Sequence, residues 1–291
     1  MRYWITDAFT KEVFGGNPAG VVLIPEGKDY PEDERMRKTA AELRYSETAF
    51  LRKLGDDHYQ LRFFTPKYEV DLCGHATIGS FGTLLQVGEV GENETVTAET
   101  KAGTLNISFR DGFVMMDMAS PEKIGVIDQA LQFAELYSVM GLDPAEQRGD
   151  LFPELISTGL PDIMMPVKTR EDLAKMAPDM EALTRISNQY GVTGVHAFTL
   201  DSDDEAVCHC RNFSPACGIP EEAATGTASG ALTYYLFSHG IVPNHSTNRM
   251  IQGEAMERPS EIVTTLDEEG GKVLVRVGGN AAILAEGEIN L

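Results

Sequence analysis

The sequence predicts an α+β protein of two pseudo-symmetric domains, each a curved or barrel-like, mostly antiparallel sheet around one central buried helix. Three observations lead to this fold class. Short motifs recur in both halves of the chain, strand-like segments follow these motifs, and each half has one helix-like segment that is apolar nearly all round. A helix without a polar face is expected to be buried.

Four short motifs occur twice and in the same order. The first half has GNP at 16–18, AFL at 49–51, RFFTP at 62–66 and GHAT at 74–77, and the second half has GLP at 159–161, AFT at 197–199, RNFSP at 211–215 and GTAS at 226–229. The separation between copies grows slowly, as a duplication followed by small insertions would produce. On this alignment Val195 occupies the position of Glu47.

The first half contains strands, one surface helix and one central helix. The apolar run at 19–24 is a predicted strand, and a helix is predicted over 31–44, where an early proline and acidic residues suit a helix N-terminus. Strands are predicted over 47–54 and 59–66, the second ended by Pro66 because proline cannot extend a ladder. The central helix follows over 75–88 and ends at Gly88, and strand-like stretches cover 94–100, 104–109 and 112–118.

The second half repeats this order. A strand is predicted over 163–167, a helix over 180–191, strands over 194–200 and 206–215, a central helix over 225–240, and strands over 249–256, 260–266 and 272–279. Pro215 and Gly240 are the predicted ends of the strand and the central helix. The predicted domains are 1–119 and 120–291, with the strand at 280–291 as a candidate for return to the first domain.

Composition excludes several classes of function. With 24 basic and 45 acidic residues, the net charge of −21 argues against nucleic-acid binding, because such a surface repels phosphate backbones. The N-terminal segment has no apolar targeting region, and no apolar run is long enough for a membrane span. Four cysteines in 291 residues are too few for a disulfide framework. We therefore expect a soluble, cytoplasmic protein with reduced thiols and no membrane partner.

The starts of the two central helices are candidates for anion binding. Gly74 and Gly226 each precede a helix start, where unpaired backbone N–H groups and the helix dipole favour a carboxylate or enolate. If both starts point into a cleft between the domains, they form one anion pocket there. The alternative is ordinary capping of the helices by Thr77 or Thr225.

Four side chains near these helix starts are candidates for chemistry. Glu47 lies in a strand-like, apolar context, and because the aligned residue is Val195 the fold does not require an acid there. Partial burial would suit Glu47 to general acid–base work; the alternative is a solvated glutamate on an edge strand. His75, Glu222 and Thr227 adjoin the helix starts and are candidates for substrate binding, or else for capping and packing.

The cysteines have simpler explanations than a metal site. Cys208, His209, Cys210 and Cys217 fit no common zinc spacing, and on a strand the first and third face one side while His209 faces the other. We therefore expect packing rather than metal binding. Cys73 adjoins the proposed anion site, and it is either a thiolate base with a pKa lowered by the helix end or a small buried apolar residue.

Together, the segments DAF…GNPAGV, SETAFL, RFFTP…CGHAT, STGLP, RNFSP..GIPEEAATGTASG and QGEAMERPSEI resemble the phenazine-biosynthesis isomerase (PhzF-like) family. The resemblance runs from about residue 3 to the final strand. It implies a fold shared with diaminopimelate epimerase and proline racemase, with the active site between two domains. It also implies a small-molecule anionic substrate, no metal, no organic cofactor and a homodimer.

The resemblance also implies roles for residues. The glutamate of the family's S-E-x-x-F motif, which moves a proton between carbons, is Glu47 here, and the histidine after the motif glycine is His75. The family's E-D-x-A-T-G-S motif has Glu222 in place of its aspartate and Thr227 in place of its serine. Epimerases of the same fold use one cysteine from each half, and here the two positions are Cys73 and Thr225, which argues against that mechanism.

Three hypotheses follow. The leading one is a cofactor-independent isomerase of a small carboxylated metabolite, with Glu47 as the proton carrier, His75, Glu222 and Thr227 around the substrate, and Gly74 and Gly226 at the anion. The second is an amino-acid racemase or epimerase that uses Cys73. The third is a non-catalytic small-molecule binding protein on the same fold, because fold does not fix function.

Overall fold

The computed structural model describes residues 1–202 and 205–291. Residue contacts divide the chain into two compact units. Unit 1 comprises Met1–Asp117 and Gly278–Leu291, and unit 2 comprises Met118–Val277. Each unit combines a mostly antiparallel sheet with one helix that is buried along most of its length. The predicted α+β fold class is therefore confirmed.

Unit 1 contains eight strands and two helices before the chain enters unit 2. In order these are β1 (Arg2–Ala8), β2 (Asn17–Leu23), α1 (Asp33–Leu43), β3 (Thr48–Gly55), β4 (His58–Phe64), β5 (Glu69–Val70), α2 (Gly74–Gln86), β6 (Thr95–Thr100), β7 (Gly103–Arg110) and β8 (Phe113–Asp117). Strands β2 and β3 are parallel, with α1 between them in sequence, and β4 is antiparallel to β3 and parallel to β6. Strands β6, β7 and β8 form an antiparallel meander.

Over its described residues, unit 2 contains nine strands and four α-helices. They are β9 (Glu122–Val126), α3 (Ala130–Val139), β10 (Glu154–Ser157), β11 (Pro161–Val167), α4 (Arg170–Lys175), α5 (Met180–Tyr190), β12 (Val195–Thr199), β13 (Cys208–Ser214), β14 (Ile219–Glu222), α6 (Gly226–Ser238), β15 (Ser246–Gln252), β16 (Ser260–Glu269) and β17 (Lys272–Gly279), whose last two residues belong to unit 1. The last strand, β18 (Ala281–Glu288), pairs antiparallel with β1 in unit 1. Helix α3 was not expected from the sequence.

The two units repeat one topology. Strands β11 and β12 are parallel like β2 and β3, β13 is antiparallel to β12 like β4 to β3, and β13 and β15 are parallel across α6 as β4 and β6 are across α2. The predicted internal duplication is confirmed by this pairing. The strand predicted over 249–256 begins earlier, at Ser246, and ends earlier, at Gln252, because Gly253 takes a left-handed conformation (φ 84°).

The strand register corrects the predicted equivalent of Glu47 in the second half of the chain. The backbone N–H of Gly20 donates to the carbonyl of Glu47 (3.2 Å), and the N–H of Ile163 donates in the same way to Gly194 (3.0 Å). Gly194, and not Val195, is therefore the counterpart of Glu47. A Cβ atom on Gly194 would lie 1.9 Å from the carbonyl oxygen of Phe213. Unit 2 has no room for a side chain where unit 1 carries its acid.

Helices α2 and α6 are the centres of their units. Ten of the 13 residues in each are buried, which agrees with the apolar sequence on every face. In unit 1 the ring of Phe81 meets that of Tyr59 edge to face, with centroids 5.5 Å apart. Both helices end just before a glycine with positive φ, Gly88 and Gly240, as predicted.

The cysteines of β13 pack as expected. Cys208 and Cys210 lie in the apolar cluster around α6, with their sulfur atoms 3.7 Å apart. His209 between them points away from this cluster, and its Nδ1 lies 2.8 Å from Oε2 of Glu254. Within the ranges 1–202 and 205–291, no helix has the length and apolar character needed to cross a lipid bilayer.

Candidate active site

Glu47 is a buried acid immediately before β3. Its residue is 7% exposed, and Oε2 of its carboxyl group has no hydrogen-bond partner among the described residues. The same Oε2 lies 3.4 Å from Nε2 of His75. The alternative of a solvated glutamate on an edge strand is therefore wrong. A buried carboxyl oxygen without a hydrogen bond is unusual, and it suits a group that acts on a substrate.

His75 is the second residue of α2 and links three side chains. Its Nε2 lies 3.4 Å from Oγ of Ser46 as well as near Glu47, and its Nδ1 lies 3.5 Å from Sγ of Cys73. The ring is almost fully buried. The start of α2 therefore fixes a carboxyl group, an imidazole and a thiol next to one another.

The environment of Cys73 argues against a thiolate. Burial raises the pKa of the Cys73 thiol to about 11, and the charge of Glu47 acts in the same direction. His75 and the backbone N–H of Ala76 oppose this shift without reversing it. The expectation of a pKa lowered by the helix end is wrong, because desolvation outweighs the dipole. At neutral pH Cys73 is a small, protonated, buried residue.

The two helix starts share a local structure. Thr77 donates its hydroxyl to the carbonyl of Cys73 (2.7 Å), and Ser229 donates to the carbonyl of Thr225 (2.9 Å). Neither Thr77 nor Thr225 caps the first-turn N–H groups of its helix. Capping by these threonines is therefore wrong as an explanation of the motif. The first turns of α2 and α6 retain the partial positive charge that favours an anion.

A duplicated ion pair holds the segment before each helix start. Arg62 of β4 makes two hydrogen bonds to Glu69 of β5 (2.7 Å each), and Arg211 of β13 makes two to Glu221 of β14 (2.8 and 2.9 Å). Such two-point pairs fix orientation as well as distance. The glutamate of each pair lies five residues before the glycine that begins the helix, so the pair anchors the segment that leads into the helix.

In unit 2 the residues predicted around the second helix start form one network. Thr225 donates its hydroxyl to Oε2 of Glu222 (2.7 Å), and Thr158 donates to the carbonyl of Thr227 (2.9 Å). Gln252, which the sequence did not single out, donates to the carbonyl of Glu222 (2.7 Å) and accepts from the N–H of Thr225 (3.2 Å). Gln252 therefore fixes the segment that carries Glu222 and leads to Gly226.

A second polar cluster in unit 2 was also missed. This inner-face cluster consists of Asp162 on β11, His196 on β12, and Asn212 and Ser214 on β13, all buried. Burial, together with the charge of Glu222, raises the pKa of Asp162 to about 8, and burial lowers the pKa of His196 to about 3. Both groups are therefore mainly uncharged at neutral pH, and both lie within the electrostatic reach of Glu222.

Glu47, Cys73 and His75 also form a group that could hold a metal ion. Each offers one ligand atom, and these atoms lie within 4.8 Å of one another. A metal would need the thiolate of Cys73, and the raised pKa of this thiol works against that. The absence of a metal cofactor stays a prediction.

Comparisons with known proteins agree on one family. The model of the PhzC-PhzF family, described as phenazine biosynthesis-like protein, matches residues 6–287. An uncharacterised isomerase of Bacillus subtilis is 34% identical over 281 residues, which cover 94% of each chain. The trans-2,3-dihydro-3-hydroxyanthranilate isomerase of Pseudomonas aeruginosa is 30% identical over 299 residues, which cover 100% of this chain and 99% of the relative.

Solved structures agree as well. The crystal structure of a PhzF-family phenazine biosynthesis protein from Bacillus anthracis has a TM-score of 0.88 at 28% identity, covering 100% of this chain and 99% of its own. A probable proline racemase from Agrobacterium radiobacter has a TM-score of 0.62 at 15% identity, covering 100% of this chain and 93% of its own. The second likeness concerns the fold alone, and it agrees with the predicted epimerase-like architecture.

Proposed function

The chain belongs to the phenazine biosynthesis-like PhzC-PhzF family and is an isomerase, and we propose that it moves a proton between two carbons of a small carboxylated metabolite without a cofactor. The observation that carries this proposal is the buried carboxyl group of Glu47, whose Oε2 lies 3.4 Å from His75 and has no hydrogen-bond partner among the described residues.

In this proposal Glu47 is the proton carrier. Its carboxylate takes a proton from a carbon made acidic by the substrate's conjugated unsaturation, and the resulting carboxylic acid returns that proton to another carbon of the same system. The double bond shifts, and no atom is gained or lost. Positioned acid–base groups of this kind contribute about 10²–10⁴-fold in rate.

The charge that develops on the substrate needs stabilisation. The first turns of α2 and α6, which begin at Gly74 and Gly226, supply backbone dipoles for an anion. His75 would orient the substrate beside Glu47, and Glu222 and Thr227 would hold its other polar groups. That both helix starts serve one substrate molecule, as the sequence predicts, stays part of this proposal.

The competing epimerase mechanism has little support. It needs two thiols, but Cys73 has a pKa raised to about 11, and the second position is Thr225, whose hydroxyl donates to Glu222. A threonine hydroxyl is a poor base at neutral pH.

The test is isomerisation in D₂O followed by proton NMR. Trans-2,3-dihydro-3-hydroxyanthranilate, the compound in the name of the Pseudomonas aeruginosa relative, is the first candidate substrate, followed by other small unsaturated amino and hydroxy acids. We expect a shifted double bond, with deuterium at the carbon that receives the proton wherever Glu47 exchanges with solvent. Ligands that bind without any change at their carbons would contradict the proposal. We also propose a homodimer, which sedimentation tests.

A further inference from the structure

The inner-face cluster of unit 2 is not required by the fold. Asp162, His196 and Asn212 lie two residues from Met164, Phe198 and Cys210 on their strands, so they face the same side of the sheet as these three residues, which pack in the apolar cluster around α6. In the register of unit 1, the positions of Asp162, His196 and Asn212 are held by Ala19, Ala49 and Phe63.

These three residues of unit 1 are fully buried and apolar. The same topology therefore forms without polar groups at these positions.

The hydrogen bonds of the cluster leave two polar atoms without a partner. Ser214 donates to Oδ1 of Asn212 (3.1 Å), so the amide nitrogen of Asn212 is the donor to Nδ1 of His196 (3.2 Å). The ring proton of His196 is thereby placed on Nε2. Nε2 of His196 and Oδ1 of Asp162 are both buried, and neither has a hydrogen-bond partner in residues 1–202 and 205–291.

Two such atoms on one face need an explanation, because buried polar groups are normally hydrogen-bonded. Asp162 and His196 lie on neighbouring parallel strands and two residues apart in register, which separates their Cα atoms by about 8 Å. Their side chains face the same side of the sheet. A small polar group between them would satisfy both atoms.

The chemistry of the surroundings selects the kind of group. His196 is neutral at this site and offers a donor, while Glu222, whose charge acts on both residues, offers an acceptor. A carboxylate would be repelled by Glu222, and an ammonium group could not accept from Nε2–H of His196. A hydroxyl group both accepts and donates, and it fits Asp162 in either protonation state.

We propose that Asp162 and His196, beside Glu222, form a subsite in unit 2 that binds a hydroxyl group of the substrate. Asn212 and Ser214 are positioning residues, because they hold the His196 ring with its Nε2–H directed at the ligand. The inference rests on the proposed function, since the hydroxyl belongs to the same carboxylated substrate. It adds which residues bind that hydroxyl group.

The test is calorimetric titration with anthranilate and 3-hydroxyanthranilate, two probes that differ by one hydroxyl group. We expect the wild type to bind the hydroxylated probe about tenfold more tightly, which corresponds to about 1.4 kcal/mol. His196→Ala places at this position the residue that unit 1 has there. It should reduce the ratio of the two affinities to nearly one. His196→Gln, which keeps an N–H donor, should retain part of it. His245→Ala is the matched control, because His245 is an exposed histidine outside the cluster, and it should keep the full preference.

Equal binding of the two probes by the wild type, no binding of either, or an unchanged preference in a folded His196→Ala variant would each overturn the subsite, and the cluster would then hold internal water only. Should His196→Ala fail to fold, as judged by thermal melting, the Asp162→Ala variant answers the same question. The measurement needs no turnover, so a wild type with the preference but without isomerase activity would contradict the proposed function and leave the subsite standing.

Discussion

Oε2 of Glu47 lies 3.4 Å from Nε2 of His75, and neither side chain is more than one-tenth exposed. This relationship brings two groups that can hold a proton to the first turn of α2. Water has little access to such a pair, so a substrate bound there would exchange protons mainly with the protein.

Cys73→Ala should retain isomerase activity. The thiol of Cys73 has a pKa raised to about 11 and lies 3.5 Å from the ring of His75, so its removal alters packing but removes no base at neutral pH. We expect kcat/KM within about tenfold of the wild type, a loss of about 1.4 kcal/mol or less. Steady-state kinetics at pH 7 checks this, and a loss of several orders of magnitude in a folded variant would favour the thiol mechanism.

Thiol labelling should distinguish one cysteine from the other three. Cys217 is exposed, whereas Cys73, Cys208 and Cys210 are buried. A chromogenic disulfide reagent should therefore titrate one thiol per native chain and four after denaturation. Cys217→Ser should abolish the native reaction, and Cys73→Ala should leave it unchanged. Rapid labelling of a second thiol in the native protein would show that one of these three cysteines is more accessible than the structure has it.

The free energy of unfolding of the wild type should decrease as pH rises, relative to that of the Asp162→Asn variant. The folded pKa of Asp162, about 8, is raised above the unfolded value, about 3.9. Between these values the folded state holds a proton that the unfolded state has lost, so this residue's contribution to stability declines through that window.

The limit is about 1.4 kcal/mol per pH unit, so we expect a change on the order of 3–4 kcal/mol between pH 5 and pH 8. Urea unfolding of both proteins measures it. A difference in unfolding free energy that does not vary with pH would mean that Asp162 is ionised when folded.

Gly194→Ala should destabilise the protein strongly. The added Cβ would lie 1.9 Å from the carbonyl oxygen of Phe213, and backbone must move to admit it. Overpacking of this kind costs about 1–3 kcal/mol or more. Gly79→Ala is the matched control in α2, where the nearest contact of the new Cβ would be an ordinary 3.7 Å, and alanine is favoured in helices by up to about 1 kcal/mol. Equal melting temperatures of the two variants would refute the register assigned to β12.

Much of the fold could be predicted because the same short motifs occur in both halves of the sequence. The central helices were recognisable because small and apolar residues cover every face of 74–86 and 226–238. Strand ends at Pro66 and Pro215 followed from the missing N–H of proline. Helix α3 was not predicted, because its segment has no counterpart in the first half of the sequence.

The site could be predicted less completely, for a geometric reason. Matching Ala49-Phe50 to Ala197-Phe198 by letter shifted the alignment of β3 and β12 by one residue, and a shift of one reverses the faces of a strand. On that alignment His196 matched the polar Thr48, so its polarity was not unusual. In the observed register His196 is equivalent to the apolar Ala49. The sequence signal that could have revealed the inner-face cluster is that its residues are polar while the equivalent residues of the first half are apolar.

The most direct test of the account is deuterium transfer by Glu47→Gln. Glutamine keeps the shape of the side chain but cannot carry the proton, so we expect isomerisation and solvent exchange to fall by about 10²-fold or more while calorimetry shows ligand affinity close to that of the wild type. Glu32→Gln, at an exposed position, should behave as the wild type. A Glu47→Gln variant that isomerises its substrate and incorporates deuterium at the wild-type rate would contradict the central claim.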